Sequence, residues 1–423
     1  MRNMKNAVNR FTKLEWSWIF QDWANSAYSL MITTAIFPIY YKSLTDGAGI
    51  ASHDSTAYLG YANSISTIII AVMAPFLGTL ADFKGVRKPL FSIGTLLGIL
   101  SVFAMIFVKS DLWLWLLILY GLSHMGFSMA NIFYDASIMD VTTYQRMDMV
   151  SATGFGFGYI GSVIPFLVFM LLNFSGVFTS TTTVYIGFIM TALWWFVFTI
   201  PYWKNVKQTT FRVKETSVIT ESIQSLSNTL KEIKKYPNIM LFLIAYFFYI
   251  DGVGTIIAMA TAVGSDKGLT SQELILMLLV VQIVAFPCSM LYGYLSKQVG
   301  NKRMLFIGIF TYVIICFLGL RLNAFKDFVV LAILVGSAQG GIQALSRSYF
   351  GQIIPRDKSN QFFGFYNIFG KFSSILGTTI LAVVAQMTGD SLKGLFAIII
   401  EFLLGAFLLA LVKPPHINEE DAS

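Results

Sequence analysis

The sequence predicts an all-α membrane protein in which twelve transmembrane helices form two six-helix bundles. Hydrophobic residues make up 56% of the 423 residues and charged residues only 12%, whereas a soluble domain has about 25% charged residues. The apolar residues gather in twelve long runs, and most basic residues lie between alternate runs. These three observations define the predicted fold class.

Each apolar run is long enough to cross a bilayer as a helix, which takes about 20 residues. The first run is too long for a signal peptide and has no cleavage site after it, so we interpret it as a retained helix. Numbered in chain order, the predicted spans cover residues 14–41, 58–80, 89–108, 112–134, 150–173, 182–203, 238–263, 271–295, 303–321, 327–349, 361–386 and 392–412.

The distribution of lysine and arginine predicts the topology. With the N-terminus inside, the inner segments carry 21 basic residues and the outer loops carry 6. Because short cytoplasmic loops are enriched in Lys and Arg, we expect both termini in the cytoplasm. The net charge of +7 is then a topology signal, and we do not expect nucleic-acid binding.

A polar segment divides the spans into two halves. Residues 1–203 are predicted to form the first six-helix bundle, residues 204–237 a basic cytoplasmic linker, and residues 238–423 the second bundle with a short acidic tail. The linker is expected to contain an amphipathic helix along the inner membrane face. Its apolar residues at helical spacing are Ile223, Leu226, Leu230 and Ile233.

The two halves repeat each other at an offset of 215 residues. The stretch "GTLADFKGVRK" that starts at Gly78 matches "GYLSKQVGNKR" that starts at Gly293. At the same offset, Gly121 in span 4 matches Gly336 in span 10. One six-helix unit has therefore been used twice.

Four spans carry polar residues on one helical face, since residues three and four apart share a face. This pattern predicts a solute cavity lined by spans 1, 4, 7 and 10. The alternative is that the polar side chains bind helices to each other. Arg347 has a second interpretation as part of an inner gate, because it lies late in span 10. The candidate cavity residues are Asp22, Asn25, Ser26 and Ser29, continued by Thr33, in span 1; His124, Ser128 and Asn131 in span 4; Asp251 and Thr255 in span 7; and Gln339, Gln343 and Arg347 in span 10.

Four ionisable residues lie deep in the spans: Asp22, Asp251, Lys371 and Glu401. An uncompensated charge at the centre of a membrane helix costs about 3 kcal/mol. These groups must therefore be paired, protonated or hydrated. Lys371 is expected to pair with either Asp251 or Glu401, and Asp22 and Asp251 are candidates for carrying a coupled proton.

Small and sulfur-containing residues in the spans are interpreted as packing residues. We expect Gly154, Gly156, Gly158 and Gly161 to allow close approach of span 5 to its neighbours. Both cysteines lie in apolar spans and are expected to be free, buried thiols.

The stretch "GTLADFKGVRKPL" (residues 78–90) resembles the signature of the major facilitator superfamily. It keeps seven signature positions and departs from it at Phe83 and Val86. From its chemistry, Asp82 can accept hydrogen bonds from the N-terminal amides of a neighbouring helix. The resemblance implies the major facilitator fold and a loop that holds the outward-facing state, formed by Gly78, Asp82, Gly85 and Arg87.

Further stretches are similar to the prokaryotic branch of the vacuole effluxer family within that superfamily. They are "DWANSAY" (22–28), "FYD" at the end of span 4, "YIDGVGTI" (249–256), "GSAQGGIQALSRS" (336–348) and "FFGFYNIFGKFSSILG" (362–377). The chain departs from the family at Asp135, Gln361 and Thr378, where Asn, Glu and Pro are commoner. Eukaryotic members are associated with export of amino acids from the vacuole, which implies amino-acid efflux as an expectation.

The predicted function is secondary active transport of a small polar solute, an amino acid or related zwitterion, by alternating access with proton coupling and in the direction of efflux. We expect a monomer in the cell membrane. The alternatives are a transporter of sugars or peptides and a membrane sensor or scaffold on a transporter fold. No P-loop, H-E-x-x-H or G-x-S-x-G motif occurs, so we expect no enzyme activity, no cofactor and no metal site.

Overall fold

The regular structure of the protein is helical. A computed structural model describes residues 11–109, 112–213, 235–266, 268–322, 325–388 and 391–414, and within these ranges the β-structure consists of one bridge between Phe83 and Arg212. The linker helix and the acidic tail lie outside the described residues. The helices are α1 (Lys13–Tyr28), a π-helical segment (Ser29–Ile36), α2 (Phe37–Gly47), α3 (Ser52–Ala81), α4 (Arg87–Ala104), α5 (Trp113–Ala136), α6 (Ile138–Val141), α7 (Tyr144–Ser175), α8 (Ser180–Asn205), α9 (Pro237–Asp266), α10 (Ser271–Val299), α11 (Asn301–Gly319), α12 (Phe325–Ile353), α13 (Ser359–Thr388) and α14 (Leu395–Leu411).

The protein is a multi-pass membrane protein. Among the described residues, nine helices are long and apolar enough to cross a membrane, namely α3, α4, α5, α7, α8, α9, α10, α11 and α12, and α14 is a shorter apolar helix. These helices expose large apolar side chains, such as Val72, Leu171 and Phe407, as lipid-facing surfaces do. The predicted spans all fall on helical segments, with span 1 on α1, the π-helical segment and α2.

The first predicted span is not a uniform α-helix. Thr12 and Glu15 form a capping box at the start of α1, in which each side chain bonds to the backbone N–H of the other residue. The chain continues as a π-helix from Ser29 to Ile36, where Thr34 Oγ1 donates to the Ser29 carbonyl oxygen at 2.9 Å. A π-helix has more residues per turn than an α-helix. The α-helical spacing that grouped Thr33 with Asp22 therefore ends at Ser29.

The described chain divides into two compact units. Unit 1 comprises Met1–Val141, Phe157–Ser222 and Asp357–Gly364, and unit 2 comprises Thr142–Gly156, Ile223–Arg356 and Phe365–Ser423. Helix α7 thus begins in unit 2 and continues in unit 1, whereas α13 begins in unit 1 and continues in unit 2. In unit 1, α1 packs on α8, and α3 and α4 pack on α5; in unit 2, α9 packs on α14, and α10 and α11 pack on α12.

The internal repeat is visible in the packing of each unit. Gly85, between α3 and α4, has a φ of 78°, and Gly300, 215 residues later, has a φ of 95°. Glycine adopts this left-handed region without steric cost. A Cβ on Gly121 would lie 3.0 Å from Ser66 Oγ, and a Cβ on Gly336 would lie 2.7 Å from the carbonyl oxygen of Val281. These contacts are also related by the offset of 215, so the sequence repeat is a structural repeat.

Candidate functional site

Two of the predicted cavity residues in unit 1 contact each other. Asp22 and Asn25 on α1 are buried, whereas Ser26 and Ser29 are half-buried. Asn25 Nδ2 donates to Asn131 Oδ1 at 2.6 Å and so joins α1 to α5. A partly buried amide pair of this kind holds helices together, which is the role that the alternative interpretation assigned to these polar residues.

The same pair of helices is joined by a second hydrogen bond. Tyr28 on α1 and Ser123 on α5 have their hydroxyl oxygens 2.8 Å apart. Of the remaining α5 candidates, Ser128 is buried and His124 is half-buried, with its ring stacked near Tyr120. One part of the polar side of α5 therefore contacts α1, and another part, at His124, is half-buried.

Glycines of α7 lie directly against α1, as the sequence predicts. A Cβ on Gly158 would lie 2.5 Å from Ser26 Oγ, and a Cβ on Gly161 would lie 2.7 Å from the Trp23 ring. Only glycine allows the helices to approach this closely. Ser26 therefore faces α7.

In unit 2, the buried carboxyl groups of Asp251 and Glu401 contact each other. Asp251 on α9 is fully buried, Glu401 on α14 is 4% exposed, and their side chains interact. Asp251 also lies against α13, because a Cβ on Gly377 would be 3.1 Å from each carboxyl oxygen of Asp251 and 2.3 Å from Thr255 Oγ1. We refer to Asp251 and Glu401 as the acidic pair.

The acidic pair was not expected from the sequence, which suggested either Asp251 or Glu401 as the partner of Lys371. Lys371 is half-buried in α13, and its pairing with either carboxylate stays a prediction. Two adjacent carboxylates in an apolar environment repel each other strongly when both are charged, and one shared proton removes that repulsion. A proton on one carboxyl group of the acidic pair would therefore lower its electrostatic energy.

Arg347 on α12 is hydrogen-bonded to α7 near the start of that helix. Arg347 is 3% exposed, and its guanidinium donates to Ser151 Oγ at 3.0 Å and to the Ser151 carbonyl oxygen at 3.2 Å. The guanidinium also lies 4.4 Å from the centroid of the Phe155 ring. Gln339 and Gln343 on the same helix are half-buried. Arg347 thus joins α12 to α7, and both of its interpretations stay predictions.

The loop between α3 and α4 (residues 82–86, the α3–α4 loop) is bound to the start of α13. Asp82 accepts hydrogen bonds from the backbone N–H groups of Asn360 at 2.9 Å and Gln361 at 3.2 Å, and from Asn360 Nδ2 at 2.9 Å. This is the interaction with helix N-terminal amides that the sequence predicts. Gly78 permits the approach, since a Cβ there would lie 2.4 Å from the Asn360 carbonyl oxygen.

The Asp82 carboxyl has an unusual protonation equilibrium. Burial raises the pKa of Asp82 to about 7, although hydrogen bonds from Asn360, the charge of Arg212 and the Gln361 amide offset part of this effect. Asp82 is 2% exposed and lies just beyond the end of α3. The α3–α4 loop thus contains a carboxyl group that titrates near neutral pH.

The start of the linker is also bound to this loop. Arg212 pairs with Phe83 in the β-bridge, donates its N–H to the Asp82 carbonyl oxygen at 2.8 Å, and accepts from the Lys84 N–H at 3.1 Å. Arg87 forms a buried ion pair with Asp140. The same carboxylate accepts from the backbone N–H groups of residues 209 and 210 and from the Thr209 hydroxyl.

A corresponding network in unit 2 is built around Asp148 on α7. Its Oδ1 accepts hydrogen bonds from Asn301 Nδ2 at 2.6 Å, from Ser348 Oγ at 2.7 Å and from Gln352 Nε2 at 3.0 Å. Sequence reasoning missed Asp148 because predicted span 5 begins at residue 150, which left this carboxylate in a loop. In the structure α7 begins at Tyr144, so Asp148 lies within the helix.

The two networks are related by the repeat, with one change. Gly293 on α10 corresponds to Gly78, and a Cβ there would lie 3.1 Å from the Asp148 carbonyl oxygen. The position that corresponds to Asp82 is Lys297. Unit 2 therefore takes its carboxylate from α7 instead of from the interhelical loop.

The fold is that of the major facilitator superfamily. It is similar to the proton:xylose symporter XylE bound to 6-bromo-6-deoxy-D-glucose, with a TM-score of 0.73 and 12% identity, over 95% of this chain and 96% of that chain. A bacterial homologue of the iron transporter ferroportin in an outward-facing state gives a TM-score of 0.69 and 11% identity, over 94% of this chain and 98% of that chain. At these identities the likeness shows the fold alone.

The chain belongs to the vacuole effluxer family, whose model, described as "Vacuole effluxer Atg22 like", matches residues 12–421. The uncharacterized MFS-type transporter YxiO of Bacillus subtilis (strain 168) is 48% identical over 421 residues, which is 98% of both chains. Autophagy-related protein 22 of Saccharomyces cerevisiae (strain YJM789) is 25% identical over 276 residues, which is 57% of this chain and 52% of that protein. The resemblance carried by the sequence motifs is confirmed.

Proposed function

We propose that the protein is a secondary active transporter that moves a small polar solute by alternating access. In this proposal twelve helices cross the cell membrane, both termini are cytoplasmic, and the protein acts as a monomer. The family match over residues 12–421 carries the proposal. The excess of basic residues on alternate loops supports the orientation.

The proposed solute is an amino acid or a related zwitterion, and the proposed direction is efflux. The family description "Vacuole effluxer" supports the direction. The half-buried amide of Gln343 offers uncharged hydrogen-bonding groups, and Asp22 offers an anion to an ammonium group. Polar groups of these kinds are typical of sites for small polar ligands.

The proposed coupling ion is the proton. Asp22 and the acidic pair are the candidate carriers, because buried carboxyl groups bind and release a proton when their access to water changes. The contact between Asp251 and Glu401 supports this role, since one proton relieves the repulsion between them.

The proposed gates are the networks around Asp82 and Asp148. Each network binds the first turns of one long helix, α13 in unit 1 and α7 in unit 2. We propose that these contacts break and re-form as access alternates. Their hydrogen bonds to charged acceptors are worth about 1.5–3 kcal/mol each, a size that a transport cycle can reverse.

A solute screen followed by reconstitution tests the proposed function. Purified protein is screened by thermal shift against amino acids, dipeptides, sugars and nucleosides, and solutes that raise the melting temperature are used for uptake into proteoliposomes with and without a pH gradient. We expect amino acids to stabilise the protein and to accumulate only with the gradient. If only sugars or only dipeptides stabilise the protein, they take the place of amino acids as the proposed solute class. Failure of every stabilising solute to enter the liposomes would favour a sensor.

A further inference from the structure

The interior of unit 2 contains an apolar cavity of about 150 Å³. Its walls come mainly from α9, α10, α11 and α12, and Leu381 of α13 and Leu395 of α14 complete it. Met277, Phe328 and Ala332 lie in its wall and also belong to a cluster of buried apolar residues. The cavity therefore lies in the core of one unit and opens where Ala260 is exposed.

The chemistry of the lining is nearly uniform. Among the described residues that line the cavity, only Gln339 and Cys316 have polar side-chain atoms, and none of these described residues is charged. Gln339 Oε1 is buried and has no hydrogen-bond partner among the described residues. Burying a hydrogen-bond acceptor without a donor costs free energy. Gln339 Oε1 is such an acceptor in an otherwise apolar wall.

The volume sets the size of a matching ligand. An apolar cavity of about this volume in another protein stays dry and binds benzene. A charged or zwitterionic molecule would lose its hydration without gaining a partner here. The cavity is thus unsuited to the solute proposed above, and its occupant must be neutral.

We propose that this cavity is a binding site for a neutral molecule with a benzene-sized apolar body and a single hydroxyl group. The apolar body fills the space between α9, α10, α11 and α12, and the hydroxyl hydrogen-bonds to the Gln339 side chain amide. A hydroxyl both donates and accepts, so it satisfies this amide in either orientation. Binding fills the gap in the unit 2 core and stabilises the packing of these helices, independently of solute transport.

The thiol of Cys316 provides the readout, because it lies in the cavity wall and is 1% exposed. The test uses the full-length protein with the substitution Cys288→Ala, which leaves Cys316 as its sole cysteine. The rate of Cys316 modification by a small apolar methanethiosulfonate is measured at increasing concentrations of phenol or benzene. We expect phenol to slow the modification at about fivefold lower concentration than benzene, the effect of one neutral hydrogen bond.

Variants separate the hydroxyl contact from the apolar fit. Gln339→Leu removes the acceptor, so phenol and benzene should protect Cys316 at equal concentrations. Ala332→Leu and Val335→Phe fill the cavity from α12, so neither probe should slow the modification further. Ile333→Leu is the control, because this residue lies on α12 with 44% of its surface exposed and outside the cavity lining.

Three results would overturn the proposal. Absence of protection by either probe in the Cys288→Ala protein would show that the cavity binds neither. Equal protection in the filled variants would place the probes elsewhere. If phenol and benzene protect Cys316 at equal concentrations while Gln339 is still present, the proposed hydroxyl contact is wrong.

Discussion

Raising the pH from about 6 to about 8 should loosen the α3–α4 loop from the start of α13. The loop is held there by Asp82, which is buried and accepts three hydrogen bonds from Asn360 and Gln361. Arg212, the neighbouring charged group, keeps its positive charge throughout this range. Asp82 is therefore the group whose charge changes.

The direction and size of the effect follow from the two pKa values of this carboxyl. The ordinary value is 3.8, and burial raises the pKa of Asp82 to about 7 when the loop is packed. Between these values the packed loop binds a proton that the open loop does not bind. The proton thus stabilises the packed state at low pH, and this contribution is lost as the pH rises through about 7. From about pH 6 to about pH 8 the opening equilibrium constant should rise about tenfold, or about 1.4 kcal/mol.

Hydrogen exchange of the Asn360 and Gln361 amides measures this opening. After correction for the intrinsic pH dependence of exchange, their protection factors should fall about tenfold between the two pH values in the wild-type protein. Asp82→Asn keeps an acceptor and cannot lose a proton, so its protection factors should not depend on pH. Constant protection in the wild type, or an equal fall in Asp82→Asn, would refute this reasoning.

Three substitutions test the packing, each by thermal unfolding in detergent. Asp148→Ala removes a buried acceptor of three hydrogen bonds and should lower the free energy of unfolding by about 2 kcal/mol. The cost stays this small because the three donors keep longer contacts to carbonyl oxygens. An unchanged Tm would contradict the network around Asp148. Gly161→Leu places atoms against Trp23 and should cost about 1–3 kcal/mol, whereas Gly60→Leu, which has open space, should not. Arg87→Gln leaves a buried carboxylate without its cation and should cost about 2 kcal/mol or more; wild-type stability would argue against a buried ion pair.

The helices and the contact of Asp82 with α13 were predictable because their signals are local. Hydropathy locates a helix wherever about 20 apolar residues follow one another, and the described helices begin and end within a few residues of most predicted spans. Asp82 was assigned correctly as an acceptor for helix amides, because a carboxylate beside a tight glycine turn has few other partners. The offset of 215 residues likewise predicted that Gly121 and Gly336 occupy equivalent positions.

The features that escaped prediction depend on contacts between distant residues or on backbone geometry. Asp251 and Glu401 are 150 positions apart, and their contact requires the packing of α9 on α14. Asp148 carries no motif, and its role is defined by donors on α11 and α12. The π-helical segment after Tyr28 has no hydropathy signature, so the sequence did not indicate the change of helical spacing between Ser29 and Thr33.

Solute accumulation in proteoliposomes is the decisive measurement for proton-coupled transport. With the solute identified by the screen, we expect the wild-type protein to accumulate it against its gradient when a pH gradient is imposed. Asp22→Asn and Asp251→Asn should each abolish this accumulation and keep counterflow exchange, whereas Asp46→Asn, at an exposed position at the end of α2, should keep both. Undiminished accumulation in both Asp22→Asn and Asp251→Asn would contradict the proposed proton coupling.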